Sequence, residues 1–138
     1  MGHSFVKYRD QVQMMNDAEI IVVVHVILDV VRETPEISTL QLTENIKALV
    51  DSWRTFIDVY GPGMVGINFN ESVQTDADRS CLLRLIEISR QSVQRFGPIV
   101  PADYINRVVD AMAILKFYDW PTAEVLTAFD KFTKLLSC

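Results

Sequence analysis

Along most of the chain, apolar residues recur in steps of three and four, the spacing that lines one face of an α-helix. Phe5, Tyr8, Val12, Met15, Val22 and Val26 begin such a series, with Glu19 and Asp29 on the same steps, and it predicts one long amphipathic helix over residues 4–33. Thr34-Pro35 ends it, because the residue before a proline is pushed out of the helical region. At about 1.5 Å per residue this helix spans roughly 40 Å, more than a compact domain of this size requires. One end is therefore expected to project.

A second helix is expected over 38–60. Ser38-Thr39-Leu40-Gln41 has capping-box spacing, and Leu42, Ile46, Leu49, Trp53 and Phe56 draw one stripe. The same rule predicts helices over 76–96, 101–118 and 121–136, with Asp76 and Asp78 favourable at the amino end of the first of these. Pro101 and Pro121 suit first helical turns, while Gly61-Pro62 and Gly97-Pro98 are stop signals. Residues 61–75 carry no helical stripe and form the long loop. Met64, Val65, Ile67 and Phe69 make it apolar, so it is expected to fold back onto the bundle or to meet a partner. No segment shows a convincing period of two. The expectation is an all-α fold, a single-domain bundle of about five helices with a long N-terminal helix. LVDSWRTFIDVYGP and LIEISRQSVQRFGP share a skeleton, which a duplicated hairpin would explain, but helices obeying one stripe rule and one stop rule would look the same.

Composition narrows the class. The chain has 138 residues, of which 49% are hydrophobic and 22% charged, enough to bury a core without a metal or disulfide staple. Its net charge of −5 and its scattered Lys and Arg argue against nucleic acid and against an anionic membrane surface. The run IIVVVHVILDVV, residues 20–31, is too short for a bilayer span and contains its own carboxylate. With two cysteines and no visible signal peptide, a reducing, cytoplasmic setting is expected.

Candidate chemistry is sparse. His25 and Asp29 stand four apart, on one helical face, where a carboxylate can orient an imidazole; that is half of a catalytic constellation, and also the way a core histidine is satisfied. His3, His25, Cys81 and Cys138 have no metal-ligand spacing, and Gly61-Pro62-Gly63 lacks the ending of a phosphate loop, so no cofactor and no metal are expected. Asp29–Arg32, Asp51–Arg54 and Glu87–Arg90 read as i, i+3 pairs on solvated faces, and Cys81 reads as a core thiol. Trp53, Trp120, Phe117, Tyr118, Met64 and Phe69 offer more aromatic and sulfur-bearing surface than a small interior absorbs, although the tryptophans could also fill the core.

These observations favour a small cytoplasmic protein-interaction module that inhibits, chaperones or scaffolds another protein, as immunity-like proteins do. Phe5, Tyr8, Val12 and Met15 on the projecting helix would bind, with Met64 and Phe69 from the loop, and a second copy of the helix would make a homodimer. The alternatives are a small-molecule-binding bundle with a pocket between Trp53, His25 and Met112, and an enzyme built on His25 and Asp29.

Overall fold

The computed structural model describes residues 3–33, 41–59, 67–104 and 119–137. Residues 3–16, expected to be helical, form an antiparallel hairpin instead: β1 is His3–Tyr8 and β2 is Gln11–Asn16, joined by Arg9-Asp10. The fold is therefore not an all-α bundle, and the first helix is not the expected rod. That helix, α1, runs only from Asp17 to Glu33. Its start is chemically specified, since the Asn16 side chain accepts from the Ala18 N–H at 2.8 Å and Glu19 Oε1 accepts from the Asn16 N–H at 3.1 Å. This reciprocal cap satisfies two donors that a helix continuing backwards would have bonded to its own carbonyls.

Inside the hairpin, Ser4, Val6 and Tyr8 of β1 are buried while Phe5 and Lys7 are exposed, the alternation of a half-buried strand. The residues of one i, i+3, i+4 series thus part company: Tyr8 and Met15 enter the core, at 3% and 1% exposure, while Phe5 and Val12 face solvent. The turn uses no glycine. Arg9 has φ 54, in the left-handed region, and is held there by its N–H donating to Asn70 Oδ1 at 2.7 Å.

The expected loop contributes a third strand. β3, Ile67–Asn68, pairs parallel with β1, giving the order β2-β1-β3 and leaving β2 at one edge. Phe69 follows, its N–H bonded to the Lys7 carbonyl at 2.8 Å, and its ring packs edge-on against Trp53 and Phe132. Phe69 and Trp53 are core residues: the loop folds back at Phe69, and Trp53 fills the core, the second of the two expectations for the tryptophans. Met64 lies outside the described residues.

Among the described residues three further helices surround α1: α2 (Glu44–Val59), α3 (Asp76–Gln94) and α4 (Thr122–Leu136). The second begins at Glu44, with the Thr43 hydroxyl accepting from the Ile46 N–H at 3.3 Å, so Gln41 precedes the helix and Ser38 lies outside the described residues. α3 and α4 fall close to their expected spans. α1 touches all three, which explains why Ile20 through Leu28 are buried without interruption: a helix covered on every side shows no polar face. α4 also supports the inner side of the hairpin.

A second small sheet pairs β4 (Ile99–Val100) antiparallel with β5 (Trp120–Pro121). Gly97, at φ 83, makes the turn after α3, as the Gly-Pro stop implied. Of the helix expected over 101–118, a helical turn at 102–104 is described and 105–118 lie outside the described residues. Among the described residues no helix is long and apolar enough to cross a membrane.

Candidate functional site: the outer face and edge of the hairpin

The register of the hairpin sets Phe5 opposite Met14 and Lys7 opposite Val12. All four point away from α4, and Phe5, Val12 and Met14 are 53%, 56% and 55% exposed. Residues directly opposite on one face are neighbours, so these three side chains form a continuous apolar surface. Met14 was not singled out by helical spacing; the hairpin register brings it into the site.

The edge of the same hairpin is open. In a two-residue hairpin Tyr8 and Gln11 exchange backbone hydrogen bonds, so Gln13 and Met15 also turn theirs toward β1, whereas Val12, Met14 and Asn16 turn theirs outward. Two side chains confirm the direction. Asn16 N–H goes to Glu19, and the Gln13 amide donates to the Met14 carbonyl at 3.0 Å. No described strand pairs with β2 beyond this edge. Nor does its sequence, QVQMMN, carry the proline or charge that commonly blunts an edge strand.

Where β2 ends, an open groove of about 360 Å³ is lined by Asn16, Ala18 and Glu19 on one wall and Trp120, Glu124 and Thr127 on the other. Glu19 is held in place by Lys131, whose Nζ lies 3.0 Å from Oε2 and 3.3 Å from Oε1. Trp120 is half-buried and Glu124 exposed. The strand thus runs from a turn bearing Arg9 to a groove bearing two carboxylates.

His25 and Asp29 form a different arrangement from the expected pair. Asp29 accepts from Arg32 Nη2 at 2.9 Å through one oxygen and from the Tyr104 hydroxyl at 2.9 Å through the other. His25, fully buried, meets the Tyr104 ring at 5.0 Å, and Phe96 also packs on that ring at 4.7 Å. Tyr104 is the hub that ties α1 to the segment after α3. Of the pocket expected between Trp53, His25 and Met112, the first two are core residues and Met112 lies outside the described residues.

Asp78 is buried and accepts from Asn45 Nδ2 and from the backbone N–H of Gln74 and Thr75, at 2.9 to 3.2 Å. The Asn45 side chain most of all, then Thr43 and those backbone donors, hold its carboxyl down to about 2 against the opposing effect of burial. Asp51–Arg54 forms as expected at 3.1 Å, while Arg90 turns from Glu87 to reach Asp130 on α4 at 3.0 Å. Cys81 is a buried free thiol. Among the described residues no three His, Cys, Asp or Glu side chains converge as a metal site. No family model matches the chain, and neither a curated protein nor a solved structure is similar to it.

Proposed function

We propose that the chain is a small cytoplasmic protein-interaction module that inhibits, chaperones or scaffolds another protein, with the outer face and edge of its N-terminal hairpin as the contact surface. The observation that carries this reading is the joint exposure of Phe5, Val12 and Met14 on one face of a strand pair whose edge is open. Apolar side chains at that exposure give a partner area to bury, and an unpaired strand edge gives it backbone hydrogen bonds with a defined direction. The surface belongs to a sheet, not to a helix. Against catalysis by His25 and Asp29 weighs the full burial of His25 and the engagement of both Asp29 oxygens by Arg32 and Tyr104.

The test is site-specific photocrosslinking in the native host. A photoreactive analogue in place of Met14 is expected to capture protein, and one in place of the exposed Gln91 on α3 is not. Combining Phe5→Ser with Val12→Ser should abolish the Met14 products. Equal yields from the two positions would reject the reading.

A further inference from the structure

Resting on the interaction reading above, we infer that the partner of the hairpin is a second copy of this chain, joined antiparallel through β2 about a two-fold axis at Gln13.

The register follows from three observations. Antiparallel neighbours point to the same face, so a two-fold pairing must set an outward side chain opposite another outward side chain. Val12 and Met14 are the outward residues of β2 that have outward backbone groups and are more than half exposed. The Asn16 N–H is already used by Glu19, and the pairing should leave that helix cap intact. An axis at Gln13 meets all three conditions. Val12 of each copy then exchanges backbone hydrogen bonds with Met14 of the other, and Asn16 keeps its bond to Glu19. The Gln13 amide leaves the Met14 carbonyl and meets Gln13 of the second copy.

Side-chain chemistry agrees with this register. Across the joined sheet, Phe5 and Met14 of one copy continue into Val12 and Lys7 of the other, so the two apolar patches become one. The strand itself is uncharged, which matters for a chain of net charge −5 that otherwise repels its own kind. The charges lie at its two ends, Arg9 and Asp10 at the turn, and Glu124 beside the Lys131-paired Glu19 at the groove. Antiparallel pairing carries the Arg9-Asp10 turn of one copy alongside the amino end of α1 in the other. Arg9 then approaches Glu124 and Trp120 in the groove, where Glu19 is already paired with Lys131. A generic strand from another protein would lack this end-to-end match.

Sedimentation velocity on the purified full chain, from about 1 to 100 μM, is expected to show a monomer converting to a dimer. Val12→Pro removes only an N–H that faces away from β1, so the hairpin ladder keeps its bonds while self-association weakens roughly tenfold or more. Met14→Lys, which puts like charges near the axis, should act in the same way and serves if the proline variant fails to fold. Arg9→Glu and Glu124→Arg should each weaken the dimer, and their combination should restore it. A wild-type chain that stays monomeric throughout, or both edge variants dimerising as well as wild type, overturns the inference. In that event, Met14 crosslinks to a different protein would leave the interaction reading standing, and their absence would remove both.

Discussion

Phe5 stands directly across the hairpin from Met14, and both side chains project from the protein instead of into it. An exposed cross-strand pair stabilises a sheet by only about 0.2–1 kcal/mol. Phe5→Ser is therefore expected to cost less than about 1 kcal/mol in urea unfolding. Phe69→Ala, which empties a buried site between Trp53 and Phe132, should cost about 3–5 kcal/mol. Similar losses for the two would mean that Phe5 is packed and the hairpin face is covered within the chain.

The same pair explains why the hairpin is hard to read from sequence. A half-buried strand announces itself by polar residues on its outer face, and here Phe5, Val12 and Met14 occupy that face, so apolar positions coincide with a helical series. The turn adds nothing to correct this, because Arg9 takes the left-handed conformation without glycine and relies on Asn70, sixty-one residues away. α3 and α4 were legible because their stripes, their stops and, in α3, the acidic first turn agree with one another. The start of α1 was also written locally, in Asn16 and Glu19 three residues on, but the longer apolar series overrode it. The Tyr104–Asp29 bond joins residues 75 apart and has no sequence signature.

Asp78 should make stability fall in acid. Its carboxyl is held at about 2 in the folded chain against 3.8 as a model group, so its contribution is fully present above pH 4, fades below that, and is gone below about pH 2. Asp78→Asn is expected to flatten this part of the stability profile. Asp78→Ala, which also strands the Thr75 and Gln74 donors, should cost about 1–2 kcal/mol at neutral pH. Chemical unfolding between pH 2 and pH 7, read against wild type, checks both; an unchanged acid limb in the asparagine variant would contradict the assignment.

Glu19 has two separable tasks, capping α1 through Asn16 and pairing with Lys131 on α4. Glu19→Gln keeps an acceptor for the cap and loses the charge, so it should cost about 0.5 kcal/mol or less, as expected of a part-exposed pair. Glu19→Ala loses both and should cost about 1–2 kcal/mol. If the two substitutions are equally damaging in thermal unfolding, the ion pair and not the cap dominates at this junction between hairpin and helix.

Tyr104 offers the cleanest test of whether the His25 region is structural. Its hydroxyl donates to Asp29 while its ring packs against His25 and Phe96, so the two contributions divide by atom. Tyr104→Phe keeps the ring and removes one hydrogen bond to a carboxylate that Arg32 still neutralises, a loss of about 1–2 kcal/mol. Tyr104→Ala opens a space beside a fully buried imidazole and should cost about 3–5 kcal/mol. Both changes act on α1, through Asp29 and His25. Self-association measured well below the unfolding transition should match wild type in both variants. A Tyr104→Phe chain that stays fully stable but no longer associates would show that this buried cluster, and not the sheet edge, governs contact with the second copy.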